Sequence, residues 1–349
     1  MNLNEIKRNR GEWSEQYILL KLLYKKEIAF GDPYFVPLSQ KVNLISLTTL
    51  TDNNSIQILP NSEIAIIDQK THKATKKLSI SDVLNENDLN DIHALIVNGQ
   101  GRSFSDPAKI INRIFSHLGI KNKKARGDSK VDIYISFSYE GQSYEKQPVG
   151  LKSYLGGLPT LVNPTKATMF KYKIEGLGQD INFINKQLQD YKYKSLIQKI
   201  IALGGKIKFE KVKNKIYETN LIKVDSLMPD LIANILLKYF SSKGNAKISD
   251  LIDSEIDKIH MKRFLLESLL SILPQTEWDG KRIANGSIEL SSDDNLLFYH
   301  VVKQDIFEDF LFINTKLDSP QSRAQTPYGF LYKEDNNVNI DLCLQVRFI

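Results

Sequence analysis

The strongest hydrophobic pattern lies near the amino terminus, where GEWSEQYILLKLLYKKE follows helical periodicity from Gly11 onward. On a helical wheel, Trp13, Tyr17, Ile18, Leu19, Leu20, Leu22 and Leu23 cover all but a narrow face that holds Ser14 and Lys21. Such a helix is expected to be largely buried. Glu12 falls near the centre of the apolar arc and Glu15 toward one side of it. A carboxylate pointing inward needs a cation, a hydrogen-bond network or a raised pKa. In a first turn, however, the same acid can face water and favour the helix dipole. Both readings account for Glu12 and Glu15.

A second pattern has period two. Val131, Ile133, Ile135 and Phe137 alternate with Asp132, Tyr134, Ser136 and Ser138. After a Glu-Gly-Gln-Ser turn, Val149, Leu151 and Leu155 alternate with Gly150, Lys152 and Tyr154. Two half-buried strands in a hairpin are predicted. Folded about Gln142, the hairpin sets Asp132 directly across from Lys152, with about 5 Å between neighbouring β-carbons. An acid and a lysine so placed form an ordinary surface ion pair in many proteins. They are also two of the groups a metal-dependent nuclease requires.

Elsewhere the pattern is coarser. Residues 30–100 carry short apolar runs, 56–59 and 64–67, between polar turns, and read as strands or a small insertion. A helix at 107–118 leads into the basic run 121–126, which suits either a solvated linker or a phosphate backbone. Residues 160–168 read as a loop. Helical periodicity dominates 180–273, clearest at 226–240, where Pro229 suits a first turn, and at 260–273. From 288 the pattern returns to strands around a short helix, IFEDFLFIN, and ends in a hairpin with its turn at 335–337. The implied organisation is a core in 1–175, a mainly helical segment in 176–285 and a β-rich segment in 286–349.

Composition narrows the chemistry. The 349 residues give room for one large domain or two ordinary ones. Lys plus Arg number 47 against 41 acids, a net charge of +6, which fits nucleic-acid binding without requiring it. The single cysteine, Cys343, excludes a disulfide framework, a thiolate zinc site and an iron–sulfur cluster. No signal-like or membrane-length apolar run occurs, so a soluble cytoplasmic protein is expected. The five histidines form no i, i+4 pair, and no nucleophile elbow, P-loop or dinucleotide fingerprint is present. A magnesium–carboxylate site remains. Phosphodiester cleavage needs a hard cation held by carboxylates and phosphate, and a lysine that stabilises the developing charge. Glu15 or Glu12, with Asp132 and Lys152, supply these groups if the first helix packs behind the hairpin.

GEWSEQY, GDSKVDI, VGLKSYLGG, NTKLDSPQSR with the following Tyr328-Gly329, and the closing LCLQVRFI resemble the HpaII-type restriction endonucleases, in order and nearly end to end. The resemblance implies an α/β fold of the PD-(D/E)xK class, a mixed sheet flanked by helices. It also implies Mg2+-dependent double-strand cleavage of DNA at CCGG, a companion cytosine methyltransferase that protects the host, and a homodimer suited to the palindrome. By position Asp132 matches the first signature acid, Lys152 the lysine and Glu15 the acid of the opening helix. Asp132 and Glu15 are then the expected metal ligands. The chain departs from the pattern at Gly150, where the second acid should stand. Glu145 and Gln147 lie on the opposite strand face, so the missing ligand is assigned to Glu15, with Glu12 as the alternative. Guanine edges are best read by Arg and Lys. The polar loop at 316–325 therefore nominates Arg323, Lys316, Gln321 and Gln325 for DNA contact. His300 and Lys303 are nominated beside the preceding strand, and Ser153 and Lys166 as phosphate contacts. A structure-specific nuclease and an inactive DNA-binding protein on the same fold are the competing readings, the latter sustained by Gly150.

Overall fold

The computed structural model describes residues 6–49, 54–120, 129–177, 180–189, 196–241, 246–319 and 329–349. In its first half α1 (Arg10–Lys25) precedes β1 (Glu27–Gly31), β2 (Pro37–Thr49), β3 (Asn54–Ile58), β4 (Glu63–Asp68) and β5 (Ala74–Ser79). Next come α2 (Glu86–Asn98), α3 (Ala108–Leu118), β6 (Ile133–Tyr139) and β7 (Gln142–Ser153). The middle holds β8 (Thr160–Val162), β9 (Met169–Glu175), α4 (Ile181–Gln189), α5 (Leu196–Ala202), β10 (Lys206–Val212), α6 (Lys215–Val224), α7 (Met228–Ser241), α8 (Ile248–Leu251) and α9 (Glu255–Leu270). The chain closes with β11 (Gly286–Leu290), β12 (Leu296–His300), α10 (Gln304–Ile313), β13 (Thr315–Leu317), β14 (Leu331–Glu334), β15 (Asn337–Cys343) and β16 (Val346–Phe348).

These elements form two compact mixed α/β units, Met1–Pro159 with Ile283–Phe307, and Thr160–Arg282 with Glu308–Ile349. The boundaries differ from the expected 175/176 and 285/286, because strand pairing rather than sequence order assigns each segment. In the first unit β11 and β12 return to complete a nine-stranded sheet, ordered β1-β12-β11-β7-β6-β2-β3-β4-β5. The strand β1 also pairs with β2, so six of these strands close on one another. In the second unit β9, from the stretch assigned to the core, lies between β10 and β15 in a four-stranded sheet. The expected loop at 160–168 contains β8 and a short 3-10 turn, and β10 interrupts the expected helical middle.

The helix α1 is buried on nearly every side. Ser14 and Lys21, the predicted polar face, are themselves buried. Ser14 Oγ donates to the Arg10 carbonyl at 2.8 Å, and Lys21 pairs with Asp294 at 2.5 Å. Neighbours in this unit thus satisfy groups that a helical wheel assigns to water. The start of the helix is held firmly. Asn9 and Glu12 form a capping box, Arg10 donates to the carbonyls of Ile96 and Gly99, and Trp13 Nε1 donates to the Phe104 carbonyl at 2.8 Å.

In the second unit the four-stranded sheet buries Phe170, Tyr172 and Ile174, and α7 and α9 bury Ile232, Leu236, Phe240, Phe264 and Leu265. Tyr172 donates to the Ala233 carbonyl at 2.9 Å, tying β9 to α7.

Candidate active site

The hairpin is tighter than the predicted one. Tyr139 pairs with Gln142, so the turn is only Glu140-Gly141, both at positive φ (49° and 78°), as a type I′ turn demands. A bulge then shifts the register: Phe137 pairs with Tyr144, but Ile135 pairs with Gln147. Lys146, at φ 47°, takes up the extra residue and donates its N–H to Ser136 Oγ at 3.0 Å. Ile133 therefore pairs with Val149, whose carbonyl also accepts the Asp132 N–H, so Asp132 stands beside Val149 and Gly150 rather than directly across from Lys152. Lys152 lies on the same face, diagonally across and within reach of a long side chain. The bulge matters because a one-residue slip turns every following side chain to the other face.

Asp132 is fixed by backbone. Its N–H donates to the Val149 carbonyl at 3.0 Å, and its Oδ2 accepts from the Leu151 N–H at 2.7 Å. Burial raises its pKa, opposed by the Lys152 charge and the Leu151 N–H. Glu15 extends toward the same place from α1. Its pKa is pushed up to about 7, first by burial and next by the Asp132 charge, with Lys152 opposing. Glu15, Asp132 and Lys152 thus meet in one electrostatic neighbourhood. Glu12 has another occupation, since its Oε2 accepts the Asn9 N–H at 3.0 Å in the capping box.

Gly150 leaves this face unobstructed. A β-carbon there would stand 3.8 Å from Asp132 Oδ2 and 3.2 Å from the Lys130 carbonyl oxygen. No group of three or more His, Cys, Asp or Glu side chains suited to a metal ion occurs among the described residues. Mg2+ does not require one, because it is commonly bound through one or two carboxylates plus substrate phosphate and water. Two desolvated acids, one raising the pKa of the other, fit such a cation.

Two charged neighbours were not nominated from sequence. Burial, and next the Lys152 charge, lower the Lys130 pKa to about 8. Glu289 on β11 pairs in parallel register with Lys152, and Ser287 with Gly150. Glu289 is wholly buried, and its pKa rises to about 7 by burial, opposed by Ser287, Lys152 and Tyr154. The alternation in GSIEL hints at a strand with Glu289 on one face, but only pairing across more than a hundred residues identifies that face.

The DNA-contact nominees scatter. Ser153 ends β7 and its Oγ accepts the Leu155 N–H at 3.2 Å. Lys303 sits in a short 3-10 turn with Nζ 5.4 Å from the Phe30 and Tyr139 ring centroids. Lys166, in the second unit, is exposed and lines a cavity with Lys213, Tyr332 and Asp341. Lys316 is a strand residue, paired with Arg347, not a loop residue. Gln321, Arg323 and Gln325 lie outside the described residues, as does the basic run 121–126.

His300 requires correction: it is a core residue, 2% exposed, with ring centroids 5.2 Å from both Phe137 and Phe298. Its Nδ1 accepts the Val302 N–H at 3.2 Å, and burial lowers its pKa to about 4. A histidine kept neutral in the fold contributes stability above its unfolded pKa of about 6.5, which is lost as pH falls toward 4. His300→Phe should remove that loss. The variant's stability relative to the parent, from urea unfolding, should rise between pH 7 and 4 by on the order of 3 kcal/mol. Parallel pH curves would contradict this account.

The sequence model of the HpaII restriction endonuclease family matches residues 9–348. The chain belongs to that family. It is 32% identical to the type II restriction enzyme HpaII of Haemophilus parainfluenzae, over 98% of each chain. No solved structure matches. As a family member the chain is a site-specific deoxyribonuclease. No helix among the described residues is long and apolar enough to cross a membrane.

Proposed function

We propose that this chain is a cytoplasmic, Mg2+-dependent endonuclease that cuts both DNA strands at CCGG, using Asp132, Glu15 and Lys152 on a PD-(D/E)xK-type core. The observation that supports it is the convergence of Glu15, from a helix over a hundred residues upstream, on the Asp132–Lys152 face. Asp132 and Glu15 would hold Mg2+, which when bound supplies charge neutralisation and water activation. Asp132 is aimed by the Leu151 N–H, and Glu15 by the anchored start of α1. Lys152 orients the water and stabilises charge on the phosphate under attack. Glu15 supplies the carboxylate that Gly150 lacks.

In this reading Ser153, Lys166 and Lys303 touch the phosphate backbone. Lys316, Arg323, Gln321 and Gln325 read base edges, Lys316 from a strand. A palindromic target is met by a homodimer, and a companion cytosine methyltransferase protects host DNA. Gly150 keeps one rival in play, an inactive DNA-binding protein of the same fold. Incubation of unmethylated plasmid with the protein and Mg2+ separates the readings. Discrete fragments ending at CCGG, lost when that cytosine is methylated or EDTA is added, are expected. Cutting confined to branched DNA, or binding with no product, would reject the proposal.

A further inference from the structure

Glu289 is a wholly buried acid in a strand whose alternate residues, Ile288 and Leu290, complete the core. Burying an ionisable carboxylate costs stability, and a leucine of similar bulk would pack at less cost. The side chain is nonetheless held in place: Ser287 Oγ donates to its Oε1 at 2.5 Å. Its in-register neighbour on the adjacent strand is Lys152, and strand alternation puts both on the face that carries Asp132. Adjacent strands lie about 4.8 Å apart. Lys152 on β7 is therefore bracketed, with Asp132 beside β6 on one side and Glu289 on β11 on the other. Among the described residues Lys152 is the cation whose charge acts on Glu289.

We infer that Glu289 is a positioning residue for Lys152: its carboxylate, anchored by Ser287, holds the ammonium on the Asp132 face and sets where it meets the phosphate. The inference rests on the proposed role of Lys152. It assigns Glu289 no place among the metal ligands, because the acids whose charges reach Glu15 are Asp132 and Glu12, and Glu289 acts on neither Glu15 nor Asp132.

The test compares Glu289→Gln, Lys152→Ala and the parent in single-turnover plasmid cleavage with Mg2+, in DNA binding with Ca2+, and in thermal melting. Glu289→Gln keeps the shape and removes the charge. Its cleavage rate should fall about 10- to 100-fold, with DNA affinity unchanged and melting temperature equal or higher. A merely structural carboxylate would instead lower rate, affinity and melting temperature together, and that pattern would overturn the inference. So would parental cleavage by Glu289→Gln while Lys152→Ala is inactive, which leaves the role of Lys152 intact. Full activity of Lys152→Ala would remove the reading beneath both. Ser287→Ala, which removes one of the two hydroxyls acting on the carboxylate (the other is that of Tyr154) without deleting the acid, guards against a misfolded Gln variant. It should show the same split at several-fold, and its absence counts against the inference.

Discussion

Asp132→Asn is expected to lower the cleavage rate by roughly 10³-fold, about 4 kcal/mol of lost transition-state stabilisation, while leaving DNA affinity unchanged. The carboxamide has the same shape, and its oxygen can still accept the Leu151 N–H that now reaches Oδ2 at 2.7 Å. The negative charge is lost, and with it the proposed ligand placed most rigidly by backbone. The fold should not suffer. Burial raises the Asp132 pKa, so its ionised form is a net cost to the folded state at neutral pH, and removing the charge relieves that cost. Single-turnover cleavage with Mg2+, read beside binding with Ca2+ and thermal melting, checks the prediction. Parental turnover by the Asn variant would remove Asp132 from the site.

The second large effect separates Glu15 from Glu12. Glu15→Gln should cost about 10²-fold in rate and raise the Mg2+ concentration needed for half-maximal cleavage, since one of two proposed carboxylate ligands is gone. Glu12→Gln should do little. Gln is an accepted partner at that position of a capping box and can still receive the Asn9 N–H, so helix and rate survive. Mg2+ titrations of the initial rate for both variants decide the matter. If Glu12→Gln carried the loss and Glu15→Gln did not, the assignment of the helix acid would be reversed.

The parts of this site that were legible in the sequence are those set by local periodicity. Period two placed Asp132 and Lys152 on one face, and helical spacing turned Glu15 inward on an apolar helix. The exact register was not legible. A two-residue turn and a bulge at Lys146 bring Asp132 beside Gly150, two residues short of the lysine. Both depend on positive-φ backbone at Glu140 and Lys146, residues that rarely announce it. Ser14 and Lys21 read as a solvated stripe because a wheel knows nothing of Asp294, the residue that pairs with Lys21. His300 read as a contact residue for the same reason, since Phe137 of β6 and Tyr144 of β7 reach its ring from other strands.

By itself, then, the sequence determined the hairpin that carries Asp132 and Lys152, the buried opening helix with its acids, and, through motifs spread from end to end, the family. These properties depend on neighbours a few residues apart or on strings that survive intact. Tertiary structure alone decided the division into two interleaved units, the approach of Asp132 to Gly150, and the arrival of Glu289 beside Lys152. Each of these depends on strand or helix contacts between segments far apart in the chain. Such contacts are chosen by burial and hydrogen bonding of the whole fold, and no local pattern encodes them.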